Sequence, residues 1–285
     1  MEEIAYRFLS DADFIPLYHA FLKAFSDYAV NMNVSEQRFR DRLVRDGVKL
    51  YRSVGAFTEK EMVGFSLNGY GRWQGRLTAY DAGTGMLPTY RGCGLGRDLF
   101  GYMMPELKKA GVEQCLLEVL SNNLPALKLY RKLGFSETRT FAVCQQTNIV
   151  ERPVLVQIEL HDVDVPAWRL YQTFWDGEPS WQNSIDAIER MKIGKEFVGA
   201  YLNNECIGYG VISTITGNVM QLAVSPEYRR RGVASALLDS LQARLTPGER
   251  LRATNIDCVL TGTLDFLEAC GFSQILQQLE MIMNL

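Results

Sequence analysis

The 285-residue chain carries 30 Lys and Arg against 33 Asp and Glu, a formal net charge of -3, with 47% hydrophobic and 22% charged residues. That balance excludes bulk attraction to nucleic acid or an anionic membrane, so any recognition of phosphate has to be local. Six cysteines without CxxC spacing and two histidines, His19 and His161, leave little material for a disulfide scaffold, a zinc site or a Ser/His/Asp triad, and reduced core thiols and no metal are expected.

The length exceeds one domain of roughly 100 to 200 residues, which predicts two. The N-terminus, MEEIAYRF, lacks a basic leader with an apolar core, and no uncharged run approaches ~18 residues, which reads as a cytoplasmic protein. YRFLS reads as a first strand. Over residues 12–29, Phe14, Tyr18, Phe21, Phe25 and Tyr28 recur every three or four positions, the stripe of a helix packed on a core. SEQRFRDRLVRDG predicts a second helix, and LYRSVGAF, MVGFSLNGY and RLTAYDAGTGML predict three strands. A helix from near Gly94, the strand EQCLLEVL, a helix from Pro125 to Leu133 and strands from Phe135 through Asn148 complete the first half. The second half predicts a strand VLVQIEL, a helical region over 165–192, strands EFVGAYL, CIGYGVIS and NVMQLAV, then helix, strand and helix. Each half is thus an α/β (α+β) arrangement, a mixed, mostly antiparallel sheet flanked by helices, with one βαβ crossover.

The halves repeat one another. LPTYRGCGLGRDLF (87–100) and SPEYRRRGVASALL (225–238) carry proline, tyrosine, arginine and glycine in the same order. Laying Arg91 on Arg229 gives an offset of 229 − 91 = 138, and laying Gly134 on Gly271 gives 271 − 134 = 137. A period this long marks a duplicated domain, since solenoid repeats run about 20 to 50 residues. The boundary falls near residues 149–153, giving domains 1–150 and 151–285.

In both copies a strand ends at a turn and a helix begins within a few residues. Free backbone N–H groups at a helix N-terminus attract phosphate. The first turn is Arg91, Gly92, Cys93, Gly94, Leu95 and Gly96; the second is Arg229, Arg230, Arg231, Gly232, Val233 and Ala234. Gly94 and Gly96 let a ligand approach the backbone, and Arg91 offers a cation able to fork onto phosphate oxygens. The run Arg229 to Arg231 reads in part as a solvated basic edge. The GxGxG spacing is not the dinucleotide fingerprint GxGxxG, and no GKS or GKT follows, which disfavours Rossmann and P-loop readings.

With its R-x-x-G-x-G and R-x-x-G-x-A turns, the chain resembles the GCN5-related N-acetyltransferase (GNAT) superfamily. The resemblance implies that these turns bind the pyrophosphate of acetyl-CoA, the co-substrate. It also implies that the preceding strands, ending at Met86-Leu87 and at Val224, lie against the pantetheine arm. LLEVLSNNLPALKLYRKLGF resembles the family's closing signature, with Glu118, Asn123, Ala126, Tyr130, Gly134 and Phe135 in register, and looks most like enzymes that acetylate protein N-termini. On spacing alone, Tyr130 shares a helical face with Ala126, Leu129 and Leu133 and reads as core. The resemblance implies that its hydroxyl protonates the departing CoA thiolate. Glu118, at a strand end beside the thioester, is the candidate base for the amine unless strand phase turns it to solvent or an ion pair; Asp81 and Asp27 are weaker candidates. Backbone N–H groups near Thr84 to Leu87 would serve the oxyanion.

The second copy departs where chemistry would occur. Tyr130 corresponds to Leu267, Glu118 to Asn255 and Asn123 to Leu260. The segment WRLYQTFWDGEPSWQ reads as core or interdomain packing, with a substrate-pocket wall as the alternative. The expectation is a tandem GNAT protein that acetylates a primary amine, a small molecule or a peptide or protein N-terminus, in its first domain. The second domain is left for folding, homodimerisation or acceptor recognition. A non-catalytic acyl-CoA sensor or scaffold and a nucleotide-binding regulatory module are the rival readings.

Overall fold

Residues 3–150, 153 and 156–285 are described by the computed structural model, and they divide into two units, Met1–Thr138 with Glu280–Leu285, and Arg139–Leu279. The first unit opens with β1 (Ala5–Phe8), α1 (Phe14–Ala24) and α2 (Glu36–Asp46). It continues through β2 (Val54–Phe57), β3 (Met62–Trp73), β4 (Arg76–Met86), α3 (Leu95–Lys109), β5 (Gln114–Leu120) and α4 (Leu124–Leu133). Strands β1 to β4 are antiparallel neighbours, and β5 joins β4 in parallel after the α3 crossover. Gln74 and Gly75 turn β3 into β4 with φ of 51° and 79°, the left-handed pair of a tight hairpin. Beyond β5 lie the last residues of the chain, tied by Arg76 Nη1 donating to Asn284 Oδ1 at 2.6 Å and Leu285 N donating to Glu113 O at 3.0 Å.

The aromatic stripe of α1 is core: the rings of Phe21 and Phe39 lie 4.6 Å apart, and both side chains are fully buried. The helix stops at Ala24, short of residue 29. Its terminal carbonyl at Ala24 is captured by Arg91 Nη2 at 2.8 Å, which draws residues 25–28 into a turn. Ser35 caps α2 by accepting from Arg38 N, and Gly47 closes it with φ of 73°.

The second unit begins within β6 (Ser136–Gln146), at Arg139, and adds β7 (Glu159–Asp162), α5 (Trp168–Tyr171), α6 (Ile185–Arg190), β8 (Lys195–Leu202), β9 (Glu205–Ser213) and β10 (Asn218–Val224). It then runs through α7 (Val233–Gln242), β11 (Arg252–Asp257), α8 (Thr261–Ala269) and β12 (Phe272–Asn284), the last as far as Leu279. Its strand order is β12-β6-β11-β10-β9-β8-β7. The expected boundary at 149–153 falls partly on residues 151 and 152, outside the described set, and the units divide earlier, between Thr138 and Arg139. The reason is hydrogen bonding: from Arg139 onward β6 joins the second unit, where Phe141 and Gln145 pair with Asp257 and Arg252 of β11.

The strand expected over 154–160 lies partly outside the described residues, and β7 takes in its last two residues, Glu159 and Leu160. The helical region expected over 165–192 is broken into α5, α6 and short 3-10 turns at Gln172–Phe174 and Trp181–Asn183. Gly177 and Pro179 interrupt it, and Tyr171, Phe174 and Trp181 turn inward to be buried. The terminal strand β12 was not foreseen. No helix of the described residues is long and apolar enough to cross a membrane.

Candidate active site

The two turns are built alike. Gly92 and Gly94 have φ of 76° and 90°, and Arg230 and Gly232 have 61° and 86°. Gly94 and Gly232 are the N-caps of α3 and α7, so no cap side chain covers the first N–H groups of either helix. A Cβ at Gly96 would lie 2.7 Å from Leu129 Cδ2 and 3.0 Å from Met86 Cε, so this glycine serves close packing. Leu87, Leu95, Val224 and Val233 are buried; Cys93, Arg230 and Arg231 are exposed, and the Arg231 guanidinium lies 5.5 Å from the Tyr228 ring centroid. Ala234 is half-buried on the first turn of α7.

The motif arginines are bonded within the protein, at the base of each turn. Arg91 donates from Nη1 and Nη2 to the two carboxylate oxygens of Asp27, each at 2.7 Å, from Nη2 to Ala24 O and from Nε to Met86 O at 3.4 Å. Arg229 repeats the arrangement, reaching Asp176 Oδ1 at 2.8 Å, Phe174 O at 2.9 Å and Val224 O at 3.0 Å. Each is a strut tying the end of a strand to the segment that ends the preceding helical region. Asp27 has both oxygens on Arg91, whose hydrogen bonds hold its carboxyl below the usual range and weaken it as a base.

Strands β4 and β5 stay in register from Thr78↔Gln114 to Asp81↔Leu117 and then part. On β3, Leu67 faces Gly83 and Asn68 faces Asp81, so Ala82 is the extra residue of a bulge, and Arg42 Nη2 donates to its carbonyl at 3.0 Å. At this fork, the Tyr130 hydroxyl donates to Asp81 Oδ2 at 3.2 Å. The Tyr130 ring packs edge-on against Phe100 of α3 and Phe135. Asp81 also accepts from Gly83 N at 3.0 Å and from the Thr84 hydroxyl at 2.8 Å. Burial pushes the Asp81 carboxyl up to about 6 against the pull of those bonds. Burial, then the Asp81 charge, raises Tyr130 well above the ordinary phenol range. Asn123 caps α4, accepting from Ala126 N at 3.3 Å, and its side chain also meets the Tyr28 hydroxyl.

Tyr80 pairs with Leu116 and Asp81 with Leu117, so Tyr80 and Glu118 share one face of the sheet and Asp81 the other. Glu118 accepts a hydrogen bond from the Tyr80 hydroxyl, and Arg45 and Asp46 of α2 lie beside this pair. Glu118 and Tyr130, the two expected catalytic groups, are therefore brought to the same fork from opposite faces. Sequence reasoning missed Tyr80 and Arg42, read Tyr28 only as part of the core stripe, and named Thr84 for its backbone and not for its hydroxyl on Asp81. The run Asp81-Ala-Gly-Thr inside a strand was the available signal for the bulge, since Asp accepts from the backbone two residues on.

In the second unit the equivalents of Tyr80 and Glu118 are Asn218 and Asn255, and both are buried in a neutral network. Asn218 donates to Asn183 Oδ1, Gln221 to Asn183 O, the Tyr209 hydroxyl to Gln221 Oε1, Trp175 Nε1 to Tyr209, and Asn255 to Ser180 Oγ. Tyr171 stacks on Tyr209 with centroids 3.9 Å apart. The aromatic segment thus packs within its own unit. Gly177 and Leu260 stand where the first unit has Tyr28 and Asn123, and a Cβ at Gly177 would lie 3.4 Å from Leu260 Cδ2.

A model of the acetyltransferase (GNAT) family matches residues 15–135 and again 159–272. The chain is 48% identical over 52 residues, 18% of its length and 35% of the relative's, to ribosomal protein bS18-alanine N-acetyltransferase of Haemophilus influenzae. It is 33% identical over 88 residues, 31% of its length and 44% of the relative's, to streptothricin acetyltransferase of Streptomyces lavendulae. The chain thus spans less than half the length of these curated relatives. A tandem GNAT protein from the clavulanic acid biosynthesis pathway shares the fold with a TM-score of 0.73 at 12% identity, over 99% of this chain and 98% of that one.

Proposed function

The chain belongs to the acetyltransferase (GNAT) family as a two-domain member, and from that premise we propose that its first unit transfers acetyl from acetyl-CoA to a primary amine by direct attack in a ternary complex. The observation that carries this reading is the buried Tyr130, its hydroxyl held at the fork where β4 and β5 separate. The pyrophosphate would rest on the N–H groups that open α3, with pantetheine along Met86 and Leu87. The amine approaches from the Glu118 face, gives its proton to Glu118 directly or through water, and attacks the thioester carbonyl. Backbone N–H groups of residues 84–87 hold the oxyanion. Collapse expels the thiolate, which Tyr130 protonates.

One relative is named for acting on the alanine of a ribosomal protein and the other for acting on streptothricin, which supports both peptide N-termini and small molecules as acceptors. A cytoplasmic setting fits six cysteines without a disulfide, one of them, Cys93, exposed. A second reading applies to the second unit. Its turn is retained but its amide network carries no carboxylate, which favours acyl-CoA binding without turnover, or a role in folding, dimerisation or acceptor recognition. The test is thiol release from acetyl-CoA, followed with DTNB, across a panel of alanine-initiated peptides, polyamines and aminoglycosides. Release with at least one amine is expected, and silence across the panel contradicts the proposal.

A further inference from the structure

Tyr130 has one hydroxyl hydrogen, and it points at Asp81 Oδ2. While that bond stands, no hydrogen is left for the sulfur of a leaving thiolate, and the adjacent carboxylate opposes loss of the phenolic proton. For Tyr130 to act as the acid, its hydroxyl must either turn away from Asp81, leaving the carboxylate facing an oxygen lone pair, or keep this contact with the bond reversed and Asp81 as the donor. Asp81 is placed for this. It is 6% exposed, and what touches its carboxyl is a set of hydrogen-bond donors, the Gly83 N–H and the Thr84 and Tyr130 hydroxyls.

The titratable groups facing it are Tyr130 from α4 and Cys115 from β5, with Tyr28, from the segment after α1, beyond Tyr130. Burial pushes the Cys115 thiol up to about 12, so it too is neutral at working pH. None of these brings a positive charge to the Asp81 carboxyl, and the Arg42 guanidinium of α2 donates to the carbonyl of the neighbouring Ala82 at 3.0 Å. Its carboxyl already titrates at about 6, and a pantetheine arm that displaced more water from the fork would raise it further.

We propose, resting on the acetyl-transfer reading, that Asp81 acts in its protonated form as the proton source behind Tyr130. As the C–S bond breaks and its electron pair goes to sulfur, Tyr130 gives its proton to the thiolate and receives one from Asp81. The products are a neutral thiol, a neutral tyrosine and an Asp81 carboxylate. Solvent reprotonates Asp81 after release, balancing the proton that the amine surrenders on the Glu118 side. Asp81 touches neither substrate and acts through Tyr130. A purely structural Asp81 would only brace the bulge at Ala82 through Gly83 and Thr84, and the two roles differ in their dependence on pH.

The experiment measures kcat for DTNB-followed thiol release with saturating acetyl-CoA and the amine panel between pH 5 and 9, for wild type, Asp81→Asn and Tyr130→Phe. Wild-type kcat is expected to fall as pH rises through an ionisation at or above about 6. In Asp81→Asn that ionisation disappears and kcat drops about 10- to 100-fold, the scale of losing a proton donor, while calorimetry finds acetyl-CoA affinity within about twofold of wild type. Tyr130→Phe loses the same ionisation, and this variant carries the test if Asp81→Asn does not fold. A wild-type rate in Asp81→Asn, or a slower rate that keeps the ionisation in either variant, overturns the relay. Silence of the wild type across the panel contradicts acetyl transfer itself and removes the relay with it.

Discussion

Removing the Tyr130 hydroxyl while keeping its ring leaves the contacts with Phe100 and Phe135 in place, so Tyr130→Phe isolates chemistry from packing. A fall in kcat of about 10²-fold with little change in acetyl-CoA affinity is expected, measured by steady-state kinetics and calorimetry. Asp27→Asn tests the strut reading of Arg91. A phosphate-gripping Arg91 freed from Asp27 would bind acetyl-CoA more tightly, whereas a strut that loses its bidentate partner loosens the turn, and acetyl-CoA Kd should rise several-fold. Tyr130 was legible because its helical spacing and neighbours lie within one local run, Glu118 to Phe135. The hydrogen bonds of Arg91 and Asp81 were not, because their partners Asp27 and Tyr130 come from 64 and 49 residues away, and nothing local records that pairing.

Among the elements, the entry to α1 depends on an ion pair with a definite pH signature. Arg7 Nη1 and Nη2 donate to Asp13 at 2.8 and 2.6 Å, and Ser10 donates to the same carboxylate from both its N–H and its hydroxyl. These bonds, Arg7 first, hold the Asp13 carboxyl well below the usual range. A depressed carboxyl contributes stability above its unfolded value of about 3.9 and loses it as pH falls toward its folded value. Asp13→Asn should therefore cost about 1.5–3 kcal/mol at pH 7. In urea melts, the gap from wild type should narrow once the pH falls below about 4. A gap of equal size at pH 3 would show that the pair is not its source. The helix, strand and turn order of the first half followed from periodicity and glycine placement. The 165–192 segment did not, since a run containing three tryptophans satisfies a helical stripe and a folded-in loop equally until the surrounding partners are known.

At the scale of the molecule, duplication has preserved the frame and altered the fork. Both units keep the left-handed turn and the arginine strut, but Tyr130, Glu118 and Asn123 give way to Leu267, Asn255 and Leu260. Duplication and the inequivalence of the halves were readable from aligned residues. The division at Thr138/Arg139 and the strand supplied by residues 280–284 were not, because strand partners in a sheet are set by long-range hydrogen bonds rather than by local pattern. The account rests on chemistry being confined to the first unit. The direct measurement is acetyl-CoA-dependent thiol release by two single variants, Gly94→Trp and Gly232→Trp, each verified as folded by circular dichroism. Bulk at either left-handed N-cap blocks the backbone N–H groups of one turn and leaves the other intact. The account predicts that Gly94→Trp loses turnover and Gly232→Trp keeps most of it; turnover that survives in Gly94→Trp and vanishes in Gly232→Trp would contradict it.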